Sequence, residues 1–465
     1  MTHLARAGMP PRAAFRAALA DIFPSARMTT DTASIAAWTA TSHPVEALPA
    51  AIVMPLDETE IRAAVEAARA AGATVAATSQ GRNIGLGGRV PPQASAACVL
   101  IDLRAMRKIR SIDEQAGTVT VEPGVTFRDL HTALRARGSR WFLPATGGPQ
   151  DGSIVGNLLE RGDGTGPYGD RVRAFIDLRA VLASGETVST SRDSAGPDFS
   201  GLLFQSGAGI VTAAALQLAR LPNVMTRFVL RVPADGLAPL VDAARNALRD
   251  GILLPGAACI WNGTKRMLRD GTSEGGEGWT MSGALHAASQ ARAAVDWNDL
   301  LAACGEAGAA FEIAHREVAA PCTGAGLLEG EPSDANMVSI LSGLRDGAGR
   351  PGFAWLCPVL PNDGAAAAHA MTLTAAALCD AGMPANLALG CRDVRTLRGY
   401  IALAWNRDEA DAEQRALQTH DALLARLQDA GFPPFRLGTL SRGWSAPARD
   451  DTPRVLARLR AALDN

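Results

Sequence analysis

The stretch TSQGRNIGLGGRV, from Thr78 to Val90, carries four glycines within eight residues. It directly follows the strand-like run ATVAAT at 73–78, and a segment with helical spacing precedes that strand. The helical segment begins at the capping pair Asp57 and Glu60 and ends at Gly72. The order is therefore helix, strand, glycine loop, and this order limits which phosphate-binding motifs the loop can represent.

The loop does not match the dinucleotide-binding fingerprint of βαβ units. That fingerprint needs a glycine loop that opens a helix, so that the pyrophosphate rests on the helix N-terminus. Here the chain continues into Pro91 and Pro92, which cannot lie inside a helix. Two interpretations remain open. One is a nest, in which glycines at positive φ turn N–H groups toward an anion; the other is a mobile surface loop whose glycines serve only as turns.

The composition is that of an ordinary globular protein. Of 465 residues 47% are hydrophobic, which suits two or three domains. Lys and Arg (45) nearly balance Asp and Glu (47), so the sequence has no excess of basic residues that would predict nucleic-acid binding. A small molecule is the expected partner. The seven cysteines include no CxxC pair and the seven histidines no HxxxH or HExxH motif, so we assign no metal.

No segment of the sequence predicts a membrane span. The N-terminal stretch has no continuous apolar core, and it predicts a short helix over 11–22 rather than an export signal. The alanine-rich segment 364–381 is interrupted by His369 and Asp380. We therefore expect a cytoplasmic protein with no membrane partner.

The pattern of elements indicates an α+β protein in three parts. Short strands dominate residues 1–224, longer helical runs follow in residues 225–430, and residues 431–465 form a short C-terminal return. We predict strands over 98–103 and 118–124, a hairpin over 175–191 that turns at Ser184 and Gly185, and helices over 127–137, 237–249, 284–307 and 364–381.

Several longer motifs occur in a fixed order. They are GRNIGLGG (81–88), GSIVGN (152–157), ERGDGTGPYGD (160–170), QSGAGIVT (205–212), GEPSDA (330–335) and CPVLP (357–361). With these motifs the chain resembles the vanillyl-alcohol oxidase and p-cresol methylhydroxylase family of FAD-linked oxidases, in particular the branch that oxidises para-substituted phenols. The resemblance covers about 31–463. It implies a two-domain fold: an FAD-binding domain (1–224), an inserted α+β cap domain for the substrate (225–430), and a return to the flavin region (431–465).

The resemblance also implies which residues hold FAD. The loop 81–88 would wrap the pyrophosphate with its N–H groups, and small residues of a second loop would line the other side of the cofactor. Ile210 and Val211 would pack near the adenine or ribose, whereas turn chemistry is the alternative role for Ser153 and Asn157. The implied set is Ser79, Gly81, Arg82, Asn83, Ile84, Gly85, Gly87, Gly88, Thr146, Gly147, Gly148, Gly152, Ser153, Gly156, Asn157, Ile210 and Val211.

The sequence departs from the phenol-oxidising branch where that branch binds its substrate. Three tyrosines and an arginine surround the phenol there, but the matching positions hold Leu86, Thr165, Phe435 and Arg436. A hydroxyl bound to an anion contributes about 1.5–3 kcal/mol, so this loss removes most of the preference for a phenolate. We therefore do not expect a simple para-alkylphenol as substrate. Arg436 is predicted to bind a carboxylate or another planar anion, with a structural ion pair as the alternative.

Two further positions concern the flavin itself. Alignment on Asn406 puts Gly399 where the family carries its covalent link, and Tyr400, one residue along, would point to the opposite face of the strand. We therefore expect noncovalent FAD and keep a link through Tyr400 as the alternative. Asp151 is the candidate for an acidic residue near the flavin, or it is a turn aspartate.

The function implied by the resemblance is that of an FAD-dependent oxidase or dehydrogenase. It would transfer a hydride to flavin N5 from an alcohol, an amine or an activated C–H bond of a small specialised metabolite. Oxygen or an unknown protein would accept the electrons, and the family implies a homodimer. The alternative is a flavin-fold protein with a non-redox role as a cyclase, lyase or binding protein.

Overall fold

The structure is a computed structural model that describes residues 11–44, 48–89, 98–193, 195–196, 198–270, 277–335, 350–441, 444 and 450–464. Three main β-sheets organise these residues, two in the N-terminal part and one large sheet after them. The proline-containing stretch 90–97, on which the argument against a dinucleotide fingerprint drew, lies outside the described residues.

The first sheet carries the glycine loop at the end of one strand. Its strands run in the order β1-β2-β4-β3, and β2 and β3 are both parallel to β4. Asp57 caps α3 by accepting a hydrogen bond from Glu60 N at 3.0 Å, but the Glu60 carboxylate accepts from Leu56 N and pairs with Arg27, so the predicted capping box is only half formed. The elements are α1 (Pro11–Ile22), β1 (Met28–Thr29), α2 (Thr32–Thr39), β2 (Ala51–Val53), α3 (Glu58–Ala70), β3 (Thr74–Thr78) and β4 (Cys98–Asp102).

The second sheet is antiparallel and has five strands, in the order β5-β6-β10-β8-β9. Thr126 and Asp129 form a complete capping box at the start of α4, whose apolar side packs into the core of this sheet. The predicted hairpin is confirmed, with Gly185 at φ 90° in its turn. The elements are β5 (Ile109–Asp113), β6 (Thr118–Val121), α4 (Phe127–Ala136), β7 (Trp141–Phe142), α5 (Ile154–Leu159), α6 (Arg171–Ala174), β8 (Phe175–Leu182), β9 (Thr187–Ser191), β10 (Gly209–Gln217) and β11 (Ala219–Arg220).

The large sheet has the order β15-β12-β14-β13-β18-β19-β16, and β17 also pairs with β19. Its helices share one apolar core with it, which contains Leu240, Leu300, Leu378 and Leu389. The elements are β12 (Val224–Val232), α7 (Leu237–Arg249), β13 (Ala258–Asn262), α8 (Gly263–Asp270), β14 (Trp279–Ala287), α9 (Gln290–Glu306), β15 (Glu312–Ala319), β16 (Pro351–Leu356), β17 (Val359–Pro361), α10 (Gly364–Asp380), β18 (Asn386–Cys391), β19 (Thr396–Asn406) and α11 (Ala412–Asp429).

The predicted helix over 284–307 was wrong in its first part. Residues up to Ala287 belong to β14, a strand paired on both sides, and the helix begins only after Ser289, whose hydroxyl caps it at Arg292 N. Alanine at 284 and 287 favours a helix locally, but both residues are buried in the sheet, and the packing of a central strand decides the conformation. The helices α1, α7 and α10 are confirmed within one residue of their predicted bounds.

The residues after α11 contact both the N-terminal part and the large-sheet part of the chain. Phe435 N donates to Cys357 O at 3.0 Å, and Leu437 exchanges hydrogen bonds with the side chain of Gln205. A last helix, α12 (Thr452–Asp464), follows. The α+β class is confirmed. The boundaries at 224/225 and 430/431 stay predictions, and limited proteolysis would test them. In the described part of the chain no helix is both long and apolar enough to cross a membrane.

Candidate functional site

A cavity of about 1300 Å³ lies between the N-terminal sheets and the large sheet. Its walls include β3, the glycine loop, the loop before α5, the start of β10, and residues of β13, β14, β18 and β19. The residues assigned to the cofactor from the sequence line it, with the exception of Gly85: Ser79, Gly81, Arg82, Asn83, Ile84, Gly87, Gly88, Thr146, Gly147, Gly148, Gly152, Ser153, Gly156, Asn157, Ile210 and Val211.

The glycine loop has the backbone that a nest requires. Gly81, Gly85, Gly87 and Gly88 all have positive φ, at 64°, 77°, 115° and 55°. The loop is closed by the hydrogen bond from Gly88 N to Asn83 O, 3.1 Å, and its middle residues are buried. The interpretation as a surface turn is therefore wrong for this part of the loop.

Gly85 joins the loop to the large sheet instead of lining the cavity. Its carbonyl accepts a hydrogen bond from Trp355 N at 2.9 Å. A Cβ at this position would lie 2.7 Å from the Phe353 ring and 2.8 Å from the Trp355 ring, so no larger residue fits. Gly85 thus sets how closely the loop approaches β16.

The start of α5 forms another part of the cavity wall, with the small residue Gly156 and the helix cap Ser153. A Cβ at Gly156 would lie 2.7 Å from Ser79 Oγ, so the backbone of α5 approaches the end of β3 closely. The Ser153 hydroxyl donates to Pro123 O at 2.6 Å and accepts from Gly156 N at 2.8 Å, and Asn157 Oδ1 accepts from Arg171 Nε at 3.2 Å. These side chains are engaged with the protein, so their backbone forms the wall.

Arg436 lies in the cavity with part of its guanidinium unused. Its Nη2 donates to Asn83 Oδ1 at 3.0 Å, and its buried Nε has no hydrogen-bond partner among the described residues. Glu160 also lines the cavity, where its carboxylate accepts from Gln205 Nε2 at 3.0 Å. Burial raises the pKa of Glu160, and the positive charge of Arg436 opposes that shift.

Leu86 and Thr165 line the cavity, whereas Phe435 lies behind the wall. The Phe435 ring stands edge-on to Tyr400, with centroids 6.0 Å apart, and the Arg398 guanidinium covers it at 4.6 Å. Phe435 therefore supports two side chains of the site.

Tyr400 and Gly399 point in opposite directions, as their positions in a strand require. A Cβ at Gly399 would lie 2.7 Å from Pro358, so that position has no room for a linking side chain. Tyr400 lines the cavity, and its hydroxyl donates to the Asp163 carboxylate. Burial first, and then the negative charge of Asp163, raise the pKa of Tyr400 well above 10.

Asp163 also connects two arginines to the cavity wall. Arg398 pairs with Asp163 and, through Nη2, with Asp170 Oδ2 at 2.7 Å. Arg392 Nη1 lies 3.3 Å from Asp163 Oδ1. The sequence did not predict that these side chains contact one another, although both aspartates lie in the ERGDGTGPYGD motif.

Asp151 takes a different place from the one considered for it. Its carboxylate pairs with Arg82 at 2.5 Å, both side chains are more than a third exposed, and Asp151 is not part of the cavity wall. The geometry gives it the role of a surface ion-pair partner. Within the described residues, no three His, Cys, Asp or Glu side chains form a metal-binding group.

The chain was compared with known proteins. A sequence model of the FAD binding domain matches residues 49–191. The chain is 28% identical to 1'-carboxy-chondrochloren decarboxylase of Chondromyces crocatus, covering 96% of this chain and 94% of the relative. It is 24% identical to the flavoprotein subunit of 4-cresol dehydrogenase (hydroxylating) of Pseudomonas putida, covering 78% and 75%.

Two solved structures share the fold. Substrate-bound p-cresol methylhydroxylase superposes with a TM-score of 0.85 at 19% identity, covering 98% of this chain and 95% of the other. The 4-ethylphenol oxidase of Gulosibacter chungangensis gives 0.86 at 19% identity, covering 98% and 96%. The chain therefore has the two-domain fold of p-cresol methylhydroxylase and 4-ethylphenol oxidase, and its residues 49–191 match the FAD binding domain.

FAD is the cofactor of this protein, and the cavity fits it. The loop at Gly81 to Gly88 has glycines at positive φ, a backbone that can turn N–H groups toward an anion. The start of α5, with Gly152, Ser153 and Gly156, lines the same cavity as this loop. The protein is thus an FAD-dependent oxidase or dehydrogenase. Noncovalent FAD stays the prediction.

Proposed function

We propose that this oxidoreductase removes a hydride from an alcohol, an amine or an activated C–H bond of a small organic anion. The observation that carries the proposal is the set of side chains at the substrate end of the cavity. Leu86 and Thr165 replace phenolic hydroxyls, while Arg436 keeps a buried Nε without a partner among the described residues. A simple para-alkylphenol could therefore contact Arg436 but would lack hydrogen bonds from tyrosine hydroxyls.

Arg436 would fix the substrate by its anionic group. A buried donor without a partner costs about 1–3 kcal/mol, and a bound anion would recover this. The bond from Nη2 to Asn83 Oδ1 holds the guanidinium in place, so it does not have to be ordered on binding. Trp261 and Trp355 line the cavity and exclude water from the reacting carbon.

FAD, when bound, supplies the hydride acceptor. Removal of a hydride from an alcohol or amine also releases a proton, and Glu160 is the group in the cavity that we propose to take it. Its Oε2 is held by Gln205, and burial raises its pKa from the ordinary value toward the range where a general base works. Glu160→Gln should therefore lower kcat for these substrates, with a smaller effect on KM.

Decarboxylation is a second candidate, because one relative, matched over 94% of its length, is named a decarboxylase. In that reaction the carboxyl carbon leaves as CO2, the bonding electron pair stays on the substrate, and a proton takes its place. Release of CO2 without loss of flavin colour would favour this candidate over hydride transfer.

Rapid mixing under anaerobic conditions tests the proposal. Aromatic and aliphatic hydroxy and amino acids would be compared with 4-ethylphenol at equal concentration, with flavin absorbance as the readout. We expect reduction by at least one acid and none by 4-ethylphenol. Rapid reduction by 4-ethylphenol alone would overturn the proposal. Reoxidation in air would show whether oxygen serves as acceptor; otherwise a protein acceptor is expected, and a homodimer stays the prediction for the assembly.

A further inference from the structure

Gln205, in the loop before β10, has a backbone conformation that favours another residue type. Its φ is 50°, in the left-handed region. Residues other than glycine are uncommon there because their Cβ crowds the backbone, whereas glycine adopts this conformation without strain. Strained residues of this kind cluster at functional sites. The contacts of the Gln205 side chain should therefore show what glycine could not provide.

The Gln205 side chain joins two segments of the cavity wall. Its Nε2 donates to Leu437 O at 2.8 Å, and its Oε1 accepts from Leu437 N at 3.0 Å. Nε2 also donates to Glu160 Oε2 at 3.0 Å. The backbone N–H of Gln205 donates to Leu159 O at 3.0 Å. Gln205 thus ties the end of α5, with Glu160, to the return segment that carries Arg436.

The two bonds with Leu437 fix which end of the amide faces Glu160. The carbonyl of Leu437 can only accept and its N–H can only donate, so Nε2 has to lie on the carbonyl side. One hydrogen of Nε2 serves this carbonyl and the other serves Glu160 Oε2. A donor in this place stabilises the ionised form of Glu160 over the protonated form.

The other carboxylate oxygen of Glu160 is left for a substrate. Glu160 lines the cavity, and its Oε1 accepts no hydrogen bond from the described residues. Burial raises the pKa of Glu160, while the charge of Arg436 and the bond from Gln205 lower it. Arg436 is held in turn by Asn83 Oδ1. The base and the anion-binding group therefore both have fixed positions in the wall.

We propose that Gln205 is a positioning residue for the oxidation, which turns Glu160 Oε1 toward the substrate and fixes this carboxylate relative to Arg436. In this step Glu160 takes the O–H or N–H proton of the substrate, the hydride of the adjacent C–H bond goes to FAD, and a C=O or C=N bond forms. The substrate then carries its hydroxyl or amino group at a fixed distance from its anionic group. This inference rests on the proposed function, in which Glu160 is the base.

The test separates the amide of Gln205 from its backbone. Q205G removes the amide and relieves the strain, whereas Q205M keeps the size and the strain but has no donor. D411G is the control, because the exposed Asp411 has φ 61° and its side chain does not cap the helix that follows. Thermal unfolding checks the fold of each variant.

Two readouts are taken on the FAD-loaded enzyme over a pH series. The first is the infrared absorbance of the protonated Glu160 carboxyl, with the same variant carrying E160Q as reference. The pKa of Glu160 should rise by at least about one unit in Q205G and Q205M, because a hydrogen bond to the charged form is lost, and stay unchanged in D411G. The second is anaerobic flavin reduction by the best hydroxy or amino acid. On the acid side its rate should fall at least about tenfold in both Gln205 variants.

Three results would overturn the proposal. They are an unchanged pKa of Glu160 in both Gln205 variants, an equal shift in D411G, and flavin reduction in Q205G that matches the parent enzyme at every pH. Failure of the proposed function looks different. In that case E160Q would reduce its flavin as fast as the parent enzyme, although the pKa of Glu160 still rises in Q205G; this result would overturn the role of Glu160 as base and the inference with it.

Discussion

The two ends of the cavity differ in whether backbone or side chains form them. The end that we assign to the flavin is formed by backbone: glycines at positive φ, and a helix that approaches β3 at Gly156. The end that we assign to the substrate is formed by side chains: Arg436, Arg392, Glu160 and the group around Asp163. A backbone site suits a cofactor that stays the same across a family, whereas a side-chain site can be changed one residue at a time while the cofactor frame is kept.

At the flavin end, Gly87→Val is expected to cause a large loss of bound FAD. Gly87 has φ 115°, and a Cβ there would lie 2.3 Å from Thr439 Cγ2. Backbone strain alone costs about 1–3 kcal/mol, so FAD affinity should fall at least about tenfold. The ratio of flavin to protein absorbance measures this. Gly305→Ala, in α9 with no atom near the added Cβ, is the control and should keep full flavin content. Unchanged flavin in the Gly87 variant would show that the loop does not form the cradle.

At the substrate end the matching change is Asp163→Asn. It leaves two guanidiniums and the Tyr400 hydroxyl around a neutral amide, and breaking a buried pair of this kind costs about 3–5 kcal/mol. Asp408→Asn removes an exposed partner of Arg350 and should cost less than about 1 kcal/mol. Denaturant unfolding of both variants gives the comparison. Equal stability losses would contradict the buried network.

How much of this could be predicted from the sequence depends on the same difference. Glycines are visible in the sequence itself, so most of the residues that line this part of the cavity, and the strand before the loop, could be predicted. Asp163 and Tyr400 are 237 positions apart, and no spacing rule connects them. The helix predicted at 284–307 failed for a related reason, because alanine's local preference was overridden by the neighbours of β14.

Tyr400 provides a pH test of the substrate end. Burial and Asp163 raise its pKa in the folded state, so its contribution to stability is present below pH 10 and is lost as the pH rises above 10, where the unfolded chain ionises. Tyr168 is the second tyrosine of the chain. In Y168F, tyrosinate absorbance should therefore appear only when the protein unfolds in alkali, and Y168F/Y400F should lack this signal. Ionisation near pH 10 in the folded protein would contradict the bond to Asp163.

The smallest effect is expected for Asp151→Asn. The pair with Arg82 is exposed and outside the cavity wall, so it should contribute less than about 1 kcal/mol. Turnover with the best substrate should stay within about threefold of the parent enzyme. A loss of a hundredfold or more would make Asp151 an acidic residue of the active site after all.

The visible spectrum of the purified protein tests the central claim most directly, that this cavity holds FAD without a covalent bond. The spectrum would be recorded before acid precipitation and again on the supernatant and the pellet. The geometry at Gly399 and the engaged hydroxyl of Tyr400 predict flavin colour that is released into the supernatant. Colour that stays in the pellet would contradict the noncovalent prediction, and no flavin colour even after reconstitution with FAD would contradict the account as a whole.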